Sequence, residues 1–291
     1  MIKRINWNQF SNLFRKYRAN TRLIQQGSSP KSLFILVEGA LYTYRNDVLI
    51  SSIDKEGEYI GEIAVLLNTP HTATVETLYD TTLIELSFDN AIPFLRQSPE
   101  IAITLATSLA ERLVEQNAQL TKTIVDPLQT FDKKEIPKTP EEFNLDLGKL
   151  NHFYKDYRPH VEVIAQGRKP KALYILVSGE VEIIKNGKVI AVENTPGYYL
   201  GDVSILRNTI ANASVKTLTK TVLIEIPTEK VDSFLHHSPE VAISISRKLA
   251  ERILQVNELY LNILEEKARK LFLSNSQKNH SLKHYFNELD I

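Results

Sequence analysis

The 291-residue chain has no cysteine and only one methionine. Without thiols there is no disulfide, no thiolate metal centre and no cysteine nucleophile, and the composition fits a reducing compartment. Net charge is also missing. The 35 basic residues balance 35 acidic ones, so no global field draws the chain onto a phosphate backbone or an anionic bilayer. No run of about 18 apolar residues is present to span a membrane, and the opening MIKRINWNQF lacks the apolar segment a signal peptide needs. The expectation is a cytoplasmic protein with no membrane partner. Catalytic signatures are absent as well. The seven histidines are scattered, adjacent His236 and His237 point to different helix faces, and no zincin, serine-hydrolase or Walker A pattern occurs. Neither a catalytic nor a metal-ligating set emerges, and an enzyme is not expected.

What is present is globular. About 43% apolar and 24% charged residues, at this length, suit two domains that each bury a core. Trp7, Phe10, Leu13, Phe14 and Tyr17 recur at helical spacing and predict a lead-in helix or short helical turns over 7–18. From Thr21 to Leu86 the chain breaks into short runs rich in Ile, Val, Leu, Tyr and Thr. Turn signals separate them at Gly27 to Pro30, Gly39, Asn46 with Asp47, and Lys55 to Gly57, which predicts an antiparallel sandwich or barrel. Helical periodicity returns at Ser87. Beyond Pro99, Ile101, Leu105, Leu109 and Leu113 form one stripe that continues to about Thr123.

The chain then repeats itself. Shifting by 140 residues superposes 21–117 on 161–257 without a gap, with about 37 identities in roughly 97 pairs. Gly39 falls on Gly179, SPE at Ser98 to Glu100 on SPE at Ser238 to Glu240, and LAER at 109–112 on LAER at 249–252. Between the copies, 125–142 carries Pro127, Pro137 and Pro140 in a charged stretch that reads as a linker. The domains are therefore 1–124 and 143–291. In the last helix Leu249, Ile253, Val256, Tyr260 and Ile263 alternate four- and three-residue steps, which suits either a homodimer formed through these long C-terminal helices or packing on the helix's own barrel.

One cassette occurs in both copies: GEYIGEIAVLLNTPHTATV from Gly57 and GYYLGDVSILRNTIANASV from Gly197. With the paired glycines Gly39 and Gly179 and the order helix, strands, cassette, long helix, it resembles the cyclic nucleotide-binding domain shared by catabolite activator protein and the protein kinase A regulatory subunit. The resemblance covers nearly the whole chain, twice. It implies an α+β fold of two tandem domains, each an antiparallel β-barrel or jelly roll flanked by helices. It also implies a ligand cradle at Gly61, Glu62, Ile63 and Ala64 and again at Gly201 and Asp202, with the acid accepting from a ribose hydroxyl. Backbone N–H groups at a short helix opening suit a cyclic phosphate.

The family then places an arginine on the phosphate, and here the aligned residues are His71 and Ala211, followed by Thr72 and Ala73 in one copy and Asn212 in the other. Losing that charge-assisted bond costs roughly 2 to 5 kcal/mol, some 30-fold or more in affinity. His71 retains one hydrogen bond when neutral and a charge when protonated, whereas Ala211 retains neither. Gln116 and Asn117 interrupt the first long helix's apolar stripe and are candidate base contacts, or part of a solvated face. Too little chain follows Asn257 for a helix-turn-helix, so no DNA-binding domain is expected. The leading expectation is a non-enzymatic sensor or regulatory protein that binds cyclic AMP or cyclic GMP in its first domain. No cofactor other than such a ligand is implied, and the protein would act on an unidentified effector by moving its helices. The alternative is an interaction or scaffold protein that kept the fold with degenerate pockets.

Overall fold

The computed structural model describes residues 5–123, 150 and 152–276. The expected linker and residues 277–291 lie outside the described residues. The first repeat runs as a 3-10 helical stretch (Trp7–Leu13), β1 (Phe14–Tyr17), β2 (Arg22–Ile24), β3 (Ser32–Glu38), β4 (Leu41–Arg45), β5 (Val48–Ile53), β6 (Tyr59–Ile60), α1 (Glu62–Leu67), β7 (Thr74–Thr77), β8 (Thr81–Ser87), α2 (Phe88–Gln97) and α3 (Pro99–Thr123). The second repeats the order with β9 (Tyr154–Tyr157), β10 (Glu162–Ile164), β11 (Ala172–Ser178), β12 (Val181–Lys185), β13 (Lys188–Glu193), β14 (Tyr199–Leu200), α4 (Asp202–Leu206), β15 (Ser214–Thr217), β16 (Thr221–Pro227), α5 (Thr228–His237) and α6 (Pro239–Ser276).

Each repeat is a jelly roll of two antiparallel four-stranded sheets rather than a closed barrel. The orders are β1-β8-β3-β6 with β2-β7-β4-β5, and β9-β16-β11-β14 with β10-β15-β12-β13. The lead-in departs from its helical periodicity. Only Trp7–Leu13 is helical, and Phe14–Tyr17 pairs with β8, Phe14 opposite Ile84 and Tyr17 opposite Thr81. A four-residue segment next to an unpaired sheet edge gains ladder hydrogen bonds there that one further helical turn would not supply.

The central strands explain the continuous runs LFILV and LYILV. Along β3, Phe34 and Leu36 face the space between the two sheets, where Ile24, Leu41, Ile60, Val75 and Leu83 join them. Leu33 and Ile35 face the opposite way, into a cluster with the helices. A strand covered on both faces has no position left for polar alternation. Between β3 and β4 the chain changes sheets at Gly39, with φ of 107°. A Cβ there would lie 2.8 Å from Thr81 Cα, and one on Gly179 would lie 2.7 Å from Thr221 Cα. Only glycine fits so close an approach at that dihedral.

The repeats share one core. Leu33, Ile35, Leu105, Leu109 and Leu113 cluster with Leu173, Ile175, Ile245, Leu249 and Ile253, because α3 and α6 pack side by side. The first part of the α6 stripe, Leu249 and Ile253, packs in one cluster with its own sheet, through Leu173 and Ile175, and with α3 of the same chain. Lys267 donates to the carbonyl of Thr123, so the two helices stay together to the last turn of α3. In addition, α1 touches α6 and α4 touches α3, placing each cassette helix against the other repeat's long helix.

Because the core is common, damage to one repeat should be felt in the other. Leu249→Ala removes a fully buried side chain and is expected to destabilise the protein by about 2–5 kcal/mol. Trp7, the single tryptophan and part of the first repeat, should report that loss in urea denaturation followed by fluorescence. An unshifted Trp7 transition would mean that the repeats unfold independently.

Candidate functional site

Each cassette begins on a glycine in the left-handed region, Gly61 at φ 77° and Gly201 at φ 82°. These glycines turn the chain from a two-residue strand into a short helix whose first residue is the acid, Glu62 or Asp202. The close fit around Gly61 shows what lines the bend. A Cβ there would stand 2.9 Å from Ile24 Cδ1 and 3.2 Å from His71 Cε1, so the His71 ring lies against the turn.

Both acids are buried, Glu62 at 3% and Asp202 at 4% exposure, and both are paired. Arg112 of α3 donates to Glu62 Oε1, and Arg252 of α6 lies 3.0 Å from Asp202 Oδ2 and 3.3 Å from Oδ1. A buried carboxylate needs such a partner, because burial without one costs far more than the pair returns. Arg252 also donates to the Tyr199 carbonyl at 3.3 Å and sits 5.0 Å over the Tyr198 ring. Burial opposes its charge most strongly, but Asp202, Tyr198 and Glu193 together outweigh burial and hold the guanidinium above its ordinary range. A second tie joins strand to helix in the first repeat: the Tyr59 hydroxyl donates to the Ile101 carbonyl at 2.9 Å. The LAER motif was visible in the sequence without a role. Its signal was the shared separation of 50 residues from acid to arginine in both copies.

At the position of the family arginine the structure differs from what an exposed loop would offer. His71 is buried at 7% exposure and Ala211 at 4%. The backbone of each is clamped to the turn after β2 or β10, through Gly27 N to His71 O at 2.8 Å and His71 N to Ser28 O at 2.9 Å, and through Gly167 N to Ala211 O and Ala211 N to Arg168 O, both at 2.8 Å. Burial lowers the His71 pKa from its ordinary 6.5, and Glu62 only partly opposes this. His71 is therefore neutral at pH 7. Ile63 and Ala73 are half-buried and Ala64 is buried, while Thr72 and Asn212 are exposed. On α3, Asn117 is exposed and bonds back to the Leu113 carbonyl at 2.8 Å. Gln116 is half-buried, and its Oε1 is fully buried without a hydrogen-bond partner. The structure thus brings together Gly61, Glu62, His71 and Arg112, with Gln116 one turn beyond Arg112. Among the described residues no cluster of three or more His, Cys, Asp or Glu is placed to hold a metal, and no helix is long and apolar enough to cross a membrane.

A jelly roll followed by a long C-terminal helix, with a short cassette helix before its last strands, occurs in both repeats. Both repeats match the cyclic nucleotide-binding domain family, over residues 14–98 and 154–238, and the chain belongs to that family as a tandem member. It is 24% identical over 216 residues to a cAMP-dependent protein kinase regulatory subunit of Schizosaccharomyces pombe, an alignment covering 69% of this chain and 48% of that protein. The chain thus spans less than half the length of the curated relatives it matches first. Among solved structures it is similar to the regulatory domain of Toxoplasma gondii PKA with cAMP, at 16% identity and a TM-score of 0.30 over 85% of this chain and 90% of that one. It is also similar to Thermus thermophilus catabolite activator protein, at 23% identity and a TM-score of 0.35 over 40% and 57%.

Two outcomes follow from the buried groups. Arg252 also donates to the Tyr199 carbonyl and lies over the Tyr198 ring, so truncating it removes more than the ion pair. Arg252→Ala should cost about 3 kcal/mol and Arg112→Ala less. In urea denaturation, Asp202→Asn combined with Arg252→Met should lose less than the two single changes added together; strict additivity would show that the pair is not coupled. His71 sets a pH dependence. Its folded pKa lies below its unfolded one, so the unfolded chain binds more protons, and the contribution of neutral His71 is intact above about pH 6.5 and lost as pH falls below it. Stability measured from pH 7.5 down to 5 should fall less steeply in His71→Gln than in the parent.

Proposed function

We propose that the chain is a non-enzymatic regulatory protein in which a nucleotide-type ligand, recognised in the first cassette, shifts α3 relative to α6. The observation that carries this reading is the bond from Arg112 to Glu62. A ligand hydroxyl donating to Glu62 competes with Arg112 for the same carboxylate, so occupancy changes how firmly α1 holds α3. Since α1 also touches α6, a change at Glu62 reaches both long helices. Binding free energy is available for this shift only to the extent that the ligand prefers one helix position. Family membership and the regulatory relatives support the class of ligand and the role. Cyclic AMP and cyclic GMP are the natural probes, their affinity reduced by the missing arginine.

The second cassette favours a different task. Ala211 carries no hydrogen-bonding side chain, and Asp202 is paired with Arg252 through a hydrogen bond to Oδ1 and an ion-pair contact at Oδ2, which suits a scaffold that completes the shared core. A scaffold role for the whole protein would show as partner binding that is insensitive to nucleotide.

Titration calorimetry on the full chain, paired with hydrogen exchange, tests the reading. Saturable binding should alter exchange along Pro99–Thr123 and along α6, and Glu62→Ala should abolish both effects. Binding without any change in either helix would overturn the signalling step. The absence of heat for cyclic nucleotides and their nucleosides at millimolar concentration would overturn the reading as a whole.

A further inference from the structure

The two cassettes differ in a patterned way. Three positions of the first repeat carry polar side chains where the second carries apolar ones: Thr43 against Ile183, His71 against Ala211 and Gln116 against Val256. All three belong to the surroundings of the cassette. Thr43 lies opposite Val75 across the β4–β7 pair and shares the face of Leu41. Directly paired residues, and those two apart on a strand, point the same way, and both Val75 and Leu41 belong to the core between the sheets. His71 lies against Gly61. Gln116 follows Arg112 by four residues and so occupies the same helix face.

These groups are unfinished as the protein stands. Thr43 Oγ1 and Gln116 Oε1 are fully buried with no hydrogen-bond partner, as is Thr69 Oγ1 just past α1; in the second cassette Asp202 Oδ2 also lacks a hydrogen bond but lies 3.0 Å from the Arg252 guanidinium. A buried polar atom without a partner is unfavourable by itself, and the second repeat shows that the fold accepts Ile and Val at two of these positions. Polar atoms kept where apolar ones would fit point to a ligand that completes them.

The charges at the site restrict that ligand. Glu62 is matched by Arg112, and the side chain in place of the family arginine is a buried neutral imidazole. The immediate lining is therefore balanced without a ligand, and a phosphate monoanion would add an uncompensated charge beside Glu62. What the lining offers is chiefly acceptors: the Glu62 carboxylate, which accepts only, Gln116 Oε1, and hydroxyls that serve in either sense.

We infer that the first cassette selects an uncharged nucleoside over the corresponding cyclic nucleotide, with sugar hydroxyls donating to Glu62 and a base N–H donating to Gln116. This rests on the reading of the first cassette as the ligand site and narrows its ligand class. The second cassette takes no ligand.

The test is calorimetry on the full chain with adenosine and guanosine against cyclic AMP and cyclic GMP. At least one nucleoside should bind about tenfold or more tightly than its cyclic 3′,5′-phosphate, with one site per chain. Gln116→Val and Thr43→Ile, each the second repeat's own residue, should each weaken the nucleoside about tenfold, and a thermal melt should show the variants folded. His71→Arg should reverse the preference towards the cyclic nucleotide. If cyclic nucleotides bind as tightly as or more tightly than nucleosides in the parent chain, the inference is overturned while the sensor reading stands. Two nucleoside sites per chain would also overturn it, and binding of neither class removes both.

Discussion

The packing of α3 against α6 is the constraint on which the rest of this molecule depends. Neither jelly roll covers its own long helix completely. The outward faces of β3 and β11, the cassette helices and both long helices meet in one apolar cluster, and nothing on that scale is available to either repeat alone. Burial of this kind is cooperative and non-directional. It sets where the two units sit and leaves direction to a few polar ties: Tyr59 to Ile101, Arg112 to Glu62, and Arg252 to Asp202.

Those ties give the cassettes their dual character. An acid at the start of a short helix can serve a ligand or the fold, and here it is engaged by the fold. A ligand hydroxyl that takes Glu62 Oε1 would therefore compete for an existing bond. The energy of such an exchange is a difference between two similar interactions, which suits an equilibrium between two helix positions better than it suits tight static binding. In the second repeat both carboxylate oxygens lie within 3.3 Å of one guanidinium, which also donates to the Tyr199 carbonyl.

A duplicated unit joined in one chain is free to divide its tasks, because a fold outlives a site grafted on it. At the paired positions 43 and 183, 71 and 211, and 116 and 256 the first repeat carries polar side chains and the second apolar ones. Glycines whose dihedrals and close contacts the backbone requires, Gly39 with Gly179 and Gly61 with Gly201, are retained in both.

Much was legible before any coordinates. Repetition at a 140-residue shift, turn residues between short β-rich runs, and the glycine-acid cassette specify two copies of a known fold, because these are local or periodic signals. The loss of the phosphate-binding arginine was equally plain. Phe14–Tyr17 was misjudged as helical because aromatic spacing fits both periods over so short a span, and the choice fell to an open edge of β8. That α6 packs on α3 and that Arg112 and Arg252 hold the cassette acids depend on contacts between residues 50 or more apart, and the burial of His71 depends on the turn at Gly27 and Ser28, more than 40 residues away. Patterning announces that an apolar face exists and that an acid is near a helix start. Which surface covers that face, and which cation answers that acid, is decided only when the folded chain excludes water from both.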